Sequence, residues 1–210
     1  AGLDVYADEP LAEDSPLREI SNLVLTPHLG ASTKEAQESV GLEIAETITQ
    51  VLKGGPARNA VNMPSVDAAT LEALKPYMHL GEKLGAVLQQ ATTGQVETIR
   101  ISLLGPVTEL DTKPLSRAIQ LGYLRRISGD NLSDVNAPAK MKDLGVAIET
   151  VNSTSDADYT DYIELKAHCA GGKTVSVSGT VMGKDSHPRL VDFNGRSIEA
   201  NLDGNLLILY

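Results

Sequence analysis

The residue of this chain best suited to proton transfer is His28, in the segment LTPHLGAST, Leu25 to Thr33. Two acidic residues precede it, Asp4 in LDVY and Glu9 in DEP. An imidazole paired with a carboxylate has a raised pKa and a fixed tautomer, which suits general acid–base catalysis near neutral pH. These residues alone leave two interpretations open: a catalytic pair, or a histidine that ends a strand beside solvated loop charges.

A second group with chemical potential is a pair of arginines, Arg189 and Arg196, which flank a short strand and the turn Asn194-Gly195. Asn-Gly is typical of a two-residue hairpin turn, so the flanking strands are expected to bring the two guanidinium groups close together. Two guanidinium groups bind a phosphate or carboxylate through paired hydrogen bonds. These residues alone leave two interpretations open: two solvated hairpin arginines, which the pattern favours, and a site for an anionic effector.

The remaining histidines and the single cysteine do not form a recognisable site. His79, His168 and His187 lack the spacing of metal ligands to one another or to Cys169, so no metal site is predicted. A lone cysteine excludes an internal disulfide and favours a reducing compartment, so we expect a cytoplasmic protein.

The elements that position His28 belong to the first 62 residues, which indicate the end of an α/β domain. LDVY predicts a short strand, NLVLTP predicts a second one, and an amphipathic helix is predicted to begin at Ser32 and to end at KGGP. The extended stretch ARNAVNMPSV follows the helix. We place the domain boundary there, between residues 62 and 63.

Residues 63–203 alternate between helical and strand patterns and predict a second, α+β domain. A helical stretch that we expect Pro76 to divide precedes a strand from Ile99 to Leu103. Later segments indicate two hairpins, one through AGGK and one through Asn194-Gly195. Two short helices and the strand VAIETV lie between. The sheet is therefore predicted to be mostly antiparallel.

Composition excludes several classes of protein. The 210 residues carry a formal net charge of -10, which argues against a nucleic-acid partner because phosphate binding needs clustered lysine and arginine. No apolar run is long enough to span a membrane. The chain begins at Ala1 rather than at methionine, so we expect it to be a piece of a longer protein. A lost organelle-targeting peptide remains an alternative to the cytoplasmic location.

The N-terminal segments AGLDVYADEP, SPL and NLVLTPHLGASTKEAQ together resemble the D-isomer-specific 2-hydroxyacid dehydrogenases, in order, in spacing and in flanking strands. By this resemblance, residues 1–62 correspond to the C-terminal end of a Rossmann-type NAD-binding domain. Residues 63–203 are similar to the intervening, allosteric-substrate-binding domain of long-form members. Residues 204–210, which contain LLILY, are similar to the first strand of an ACT domain.

The resemblance also implies roles for individual residues. His28 matches the family's acid–base histidine, Glu9 the glutamate that holds the imidazole, and Asp4 the aspartate that accepts a hydrogen bond from the nicotinamide carboxamide. The main chain that lines the nicotinamide of NAD matches His28, Leu29, Gly30 and Ala31. Gly30 suits that place, because a residue without Cβ lets the backbone approach a ring closely.

The implied function is NAD-dependent oxidation of 3-phospho-D-glycerate to 3-phosphooxypyruvate, the first step of phosphorylated L-serine biosynthesis, by a homo-oligomer with four subunits. No G-x-G-x-x-G turn occurs in the sequence, and the family's substrate arginine lies upstream of the matched segments. We therefore expect the chain by itself to be inactive. The alternative function is a non-catalytic module, from about Val61 onward, that senses an anionic metabolite and forms an oligomer interface.

Overall fold

The computed structural model of the chain describes residues 1–55, 57–64, 66–129, 131–152 and 159–208. The chain divides into two compact units, Ala1–Ala57 and Arg58–Tyr210. The division falls a few residues before the boundary predicted from the extended connector. None of the helices described is long and apolar enough to cross a membrane.

The first unit contains two short parallel strands and one long helix. Strands β1 (Gly2–Leu3) and β2 (Val24–Leu25) pair side by side, and the loop between them includes a 3-10 turn at Pro16–Glu19. Helix α1 (Lys34–Leu52) begins two residues after the predicted start at Ser32, and Thr33 is its N-cap. The Thr33 hydroxyl accepts a hydrogen bond from the Ala36 N–H at 3.2 Å, which satisfies one of the free donors of the first turn.

Helix α1 has the apolar side that its sequence pattern predicts, but that side is exposed. No residue of the helix is buried, and Val40, Ile44 and Ile48 are each more than half exposed, at 52%, 54% and 53%. The stability of this helix within the chain therefore owes little to side-chain burial.

The second unit is built on a six-stranded sheet with strand order β4-β3-β5-β6-β7-β8. The strands are β3 (Val96–Leu104), β4 (Ala147–Asn152), β5 (Tyr162–Cys169), β6 (Thr174–Met182), β7 (His187–Phe193) and β8 (Arg196–Asn201). Only the pairing of β3 with β4 is parallel among these described strands. The mostly antiparallel α+β architecture is confirmed.

Both predicted hairpins are present. Strands β5 and β6 pair across Gly171 and Gly172, which both have positive φ. Strands β7 and β8 pair across Asn194 and Gly195, with φ values of 51° and 75°. Two successive positive φ angles match the right-handed twist of the strands, and Asn-Gly tolerates them best.

Three helices complete the second unit: α2 (Ala68–Ala91), α3 (Lys113–Leu124) and α4 (Ala137–Asp143). Asp67 caps α2 by accepting hydrogen bonds from the N–H groups of Ala69 and Thr70, at 2.9 Å each. Pro76 does not divide this helix, contrary to our expectation. A proline removes one N–H donor, and the packing of the flanking leucines Leu74 and Leu80, both fully buried, holds the helix together.

The core of the second unit lies between α2 and one face of the sheet. Leu80, Leu84 and Leu88 of α2 have no exposed surface, and a Cβ on Gly179 of β6 would touch the first two. The sheet contributes buried aliphatic side chains to the same core: Ile99, Ile101, Leu103, Ile163, Leu165 and Val177. Scarcity of aromatic residues thus leaves an aliphatic core, as the composition requires.

Helices α2 and α3 approach each other closely through glycines. A Cβ on Gly85 of α2 would overlap the carbonyl oxygen of Ile119, and one on Gly122 of α3 would overlap the carbonyl oxygen of Glu82. The absence of side chains at these two positions lets the two backbones come into contact. Helix α3 then adds Leu115, Ile119 and Leu124 to the core.

After β8 the chain turns at Gly204 and runs without strand pairing through residues 205–208. Residues 209 and 210 lie outside the described part of the chain. The assignment of 204–210 to the first strand of an ACT domain therefore stays a prediction.

Candidate active site

The segment that carries His28 begins where two parallel strands end. Strands β1 and β2 pair in parallel, so their carboxyl ends lie side by side, the usual position of a site in an α/β sheet. Asp4 directly follows β1 and Thr26 directly follows β2. The N–H of Thr26 donates to the carbonyl oxygen of Leu3 at 3.0 Å, which extends the ladder by one bond.

The structure brings His28 and Glu9 together. Nδ1 of His28 lies 2.7 Å from Oε2 of Glu9, and the two side chains are 55% and 33% exposed. The hydrogen bond to Glu9, reinforced by its negative charge, raises the pKa of His28 above its usual value. The same bond, with one from the Tyr6 N–H at 3.0 Å, lowers the pKa of Glu9. The pair therefore stabilises the positive charge that the imidazole gains when it takes up a proton.

Asp4 holds the main chain of the histidine segment. Its Oδ1 accepts hydrogen bonds from the Thr26 hydroxyl at 2.5 Å and from the Leu29 N–H at 2.7 Å, and its Oδ2 accepts one from the Gly30 N–H at 2.8 Å. These hydrogen bonds lower the pKa of Asp4, and the bond from the Thr26 hydroxyl has the largest effect. The carboxylate that follows β1 thus fixes the residues that follow β2.

The backbone around His28 adopts an uncommon conformation. His28 has φ of 55° and Ala31 has φ of 60°, both in the left-handed region that few residues other than glycine occupy. Residues other than glycine and asparagine that adopt the left-handed backbone conformation often lie in functional segments. A Cβ on Gly30 would lie 3.4 Å from Oδ2 of Asp4, so a side chain there would crowd the bond that holds the segment.

The His28–Glu9 pair borders a cavity of about 450 Å³. Arg18 also lines it, and its guanidinium donates to the carbonyl oxygens of Ala12 and Leu11 at 2.9 and 3.0 Å. The other lining residues are Tyr6, Pro10, Leu11, Leu25, Thr26 and Pro27. A cavity of this size is in the range of small-molecule sites, and it has an acid–base pair and one cation at its border.

Sequence reasoning missed three residues of this site. Thr26 binds Asp4, Arg18 lines the cavity, and the hydroxyl of Tyr6 lies 2.9 Å from the Thr26 carbonyl oxygen and 3.0 Å from that of Leu3. A signal existed only for Thr26, a polar residue directly after a strand. Nothing in the spacing of Tyr6 and Arg18 points to His28.

The structure does not bring Arg189 and Arg196 together. Arg189 is paired with Asn201, and Arg196 stands five positions before Asn201 on β8. Successive side chains on a strand point to opposite faces, and paired residues share a face, so the two arginines lie on opposite faces of the sheet. The Nε of Arg189 is buried without a hydrogen-bond partner among the described residues. Arg196 is exposed. We therefore propose no anion site shared by the two.

Two histidines of the second unit lie beside the same carboxylate. Nε2 of His79 lies 3.3 Å from Oδ1 of Asp203, and Nδ1 of His187 lies 3.7 Å from Oδ2 of the same carboxylate. No group of three or more potential ligands close enough to hold a metal ion exists among the residues that the structure describes. Cys169 is buried in the sheet.

Comparison with known protein families matches both units. Residues 73–194 match the D-3-phosphoglycerate dehydrogenase intervening domain. Residues 1–30, which include the whole His28–Glu9–Asp4 cluster, match the NAD binding domain of the D-isomer specific 2-hydroxyacid dehydrogenases.

Individual relatives carry the same name across distant organisms. A D-3-phosphoglycerate dehydrogenase of Synechocystis sp. is 40% identical over 84% of this chain and 33% of its own length. One of Archaeoglobus fulgidus is 34% identical over 88% of this chain and 35% of its own length. The chloroplastic D-3-phosphoglycerate dehydrogenase 2 of Arabidopsis thaliana is 35% identical over 99% of this chain and 36% of its own length. The chain thus spans about a third of the length of the curated relatives it matches.

Proposed function

Since this chain belongs to the D-3-phosphoglycerate dehydrogenase intervening domain family, we propose that it is one part of an NAD-dependent enzyme that oxidises 3-phospho-D-glycerate to 3-phosphooxypyruvate. The observation that carries the proposal is the 2.7 Å contact between His28 and Glu9. This contact lies within the segment that matches an NAD binding domain.

His28 acts as the general base in this proposal. Its Nδ1 is bonded to Glu9, which leaves Nε2 as the nitrogen free to take the proton of the substrate 2-hydroxyl. NAD, which Asp4 and the backbone of residues 28–31 would hold, would supply the acceptor for the hydride of the substrate C2. In the reverse direction, protonated Nε2 returns the proton to the 2-oxo oxygen.

Glu9 fixes the imidazole and stabilises its charge. An Nδ1–H that donates to Oε2 holds the ring in the tautomer whose Nε2 carries a lone pair. Once His28 has taken the proton, the ring is positive and the carboxylate 2.7 Å away compensates the new charge. The backbone N–H of Tyr6 keeps Glu9 ionised by occupying its other oxygen.

Asp4 and the backbone of residues 28–31 are proposed to bind the nicotinamide. Oδ2 of Asp4 accepts a hydrogen bond from Gly30 alone among the described residues, so a carboxylate with about four acceptor positions retains capacity for a carboxamide N–H. The side chains there therefore fit the cofactor that the family match names. The same bonds hold Leu29 and Gly30 beside that oxygen.

The test is an assay of the full-length protein for NADH formation from 3-phospho-D-glycerate, with D-glycerate as the control substrate. We expect NADH with the phosphorylated acid and a much lower kcat/KM with D-glycerate. Absence of NADH formation from 3-phospho-D-glycerate in a folded full-length protein would contradict the proposal.

The second unit is proposed to act as a binding and oligomerisation module of the same cytoplasmic enzyme. Its own buried core and its separate compact fold support an independent role. We expect the whole enzyme to be a homo-tetramer that responds to an anionic effector. Light scattering of the full-length protein, with and without phosphate, measures both properties, and a monomer that phosphate does not affect would contradict them.

A further inference from the structure

Glu9 belongs to a long loop that side-chain packing does little to hold in place. The loop, residues 4–23, connects β1 to β2, and of residues 5–10 all but Tyr6 are exposed. Tyr6 is partly buried. Ordering an exposed loop costs conformational entropy, so hydrogen bonds must keep the Glu9 carboxylate 2.7 Å from the imidazole of His28. The hydrogen bonds of Tyr6 are suited to this task.

The side chain of Tyr6 ties the loop to the ends of both strands. Its hydroxyl lies 3.0 Å from the carbonyl oxygen of Leu3, the last residue of β1, and 2.9 Å from that of Thr26, which directly follows β2. A phenolic hydroxyl has one proton, so it donates to one carbonyl at a time. The Leu3 oxygen already accepts the Thr26 N–H at 3.0 Å, which favours donation to the Thr26 oxygen.

The main chain of the same residue holds the carboxylate of the acid–base pair. The Tyr6 N–H donates to Oε1 of Glu9 at 3.0 Å, and Oε2 of Glu9 contacts Nδ1 of His28. Thr26, which offers its carbonyl oxygen to the Tyr6 hydroxyl, stands two residues before His28. A single residue thus joins the Glu9 side chain to the segment that carries the imidazole.

We propose that Tyr6 is a positioning residue of the acid–base pair, and that its hydroxyl fixes the distance between Glu9 and His28. Tyr6 transfers no proton to substrate in this proposal, because the partners of its hydroxyl in the described part of the chain are main-chain oxygens. The consequence for turnover rests on the proposed role of His28 as the base, whereas the consequence for the titration of His28 does not.

The titration of His28 reports the distance to Glu9. Glu9 raises the pKa of His28 through its hydrogen bond and its charge, and the charge of Asp4 raises it further. Arg18 is a cation that lines the same cavity. The Tyr6 hydroxyl contacts neither Asp4 nor Arg18, so its loss acts on the contribution of Glu9. A longer distance weakens the hydrogen bond and the charge interaction together, and the pKa of His28 falls.

The test is an NMR titration of the four histidines in the 210-residue chain, with the His28 signal identified by its absence in His28→Asn. We expect Tyr6→Phe, which keeps the ring and removes the hydroxyl, to lower the pKa of His28 by roughly a third or more of the decrease that Glu9→Gln causes. In a chain that already carries Glu9→Gln, Tyr6→Phe should have no further effect, because the hydroxyl acts through Glu9.

Tyr77→Phe is the matched control variant. The Tyr77 hydroxyl donates to Oδ2 of Asp161 at 2.7 Å in the second unit, so this variant also loses a tyrosine hydrogen bond. We expect it to leave the pKa of His28 unchanged. The amide spectrum of each sample checks that the first unit is folded.

Three results would overturn the proposal: an unchanged His28 pKa in folded Tyr6→Phe, an equal shift in Tyr77→Phe, or an undiminished effect of Tyr6→Phe in the Glu9→Gln chain. The titration needs no turnover, so its outcome is distinguishable from failure of the NADH assay. In the full-length protein, the acidic limb of kcat/KM for oxidation should move to lower pH in Tyr6→Phe and stay in place in Tyr77→Phe.

Discussion

His28 is the residue on which the proposed reaction depends most directly, because its Nε2 must take the substrate proton. In the full-length protein, His28→Asn should lower turnover by about a hundredfold to ten-thousandfold, the usual contribution of a positioned acid–base group. NADH affinity should remain nearly unchanged, because the pyrophosphate and ribose are bound by other residues. Steady-state kinetics and a fluorescence titration with NADH measure the two quantities. Turnover near that of the unsubstituted enzyme would remove the catalytic assignment.

Glu9 is predicted to determine the pH dependence of the reaction. The bond to Glu9 raises the pKa of His28 above 6.5. As the pH falls through this raised pKa, His28 becomes protonated and can no longer act as the base. Oxidation should therefore decline on the acidic side at a higher pH than an isolated histidine would give, and reduction should decline as pH rises through the same value. In Glu9→Gln the raised pKa falls back, and the acidic limb of the oxidation profile moves to lower pH.

The control for this pH prediction is Glu13→Gln, since no hydrogen bond or ion pair connects Glu13 to His28 among the described residues. Profiles of kcat/KM against pH report the free enzyme and suit the comparison. An acidic limb that stays in place in Glu9→Gln would show that the contact does not set the histidine pKa.

At the scale of elements, the contact between α2 and α3 depends on the missing side chain of Gly122. A Cβ there would overlap the main chain of Glu82, which cannot move without shifting the helix. We expect Gly122→Ala to destabilise the second unit by roughly 1–3 kcal/mol, the usual cost of overpacking, despite the better helix propensity of alanine. Thermal or urea unfolding followed by circular dichroism measures the change.

Gly41 of α1 offers the matched control for Gly122. Nothing lies within 4 Å of a Cβ at Gly41, so Gly41→Ala gains helix propensity without a clash. This substitution should leave the unfolding of the second unit unchanged. It should stabilise α1 by about 0.5–1 kcal/mol and so raise the helix content slightly. A Gly122→Ala variant as stable as the unsubstituted chain would mean that the two helices separate at little cost.

At the scale of the whole molecule, the chain by itself should not bind NAD. Pyrophosphate binding in dinucleotide-binding domains needs a glycine-rich turn at a helix N-terminus, and no G-x-G-x-x-G occurs in the 210 residues. Isothermal calorimetry of the folded chain with NAD should therefore show no saturable heat. Stoichiometric, tight binding would mean that the cofactor site lies elsewhere than proposed.

The sequence alone determined the elements and the local chemistry of the turns. Alternation of apolar residues identified the strands of the second unit, and Asn194-Gly195 and AGGK identified two hairpins, because a turn depends on the φ angles of its own residues. The mostly antiparallel sheet followed from these hairpins. Residues 25–33 also singled out His28, because a motif of consecutive residues is visible without a fold.

Only the tertiary structure decided which distant residues meet. Spacing alone left the pairing of Glu9 with His28 open and only the family resemblance implied it; the two side chains meet at 2.7 Å because residues 4 and 26 leave neighbouring strands at the same edge. The register of β7 and β8, with an irregularity between Leu190 and Asp192, decided that Arg189 and Arg196 lie on opposite faces. The close packing of α2 and α3 has the same origin, because backbone contacts between distant helices depend on the path of the whole chain.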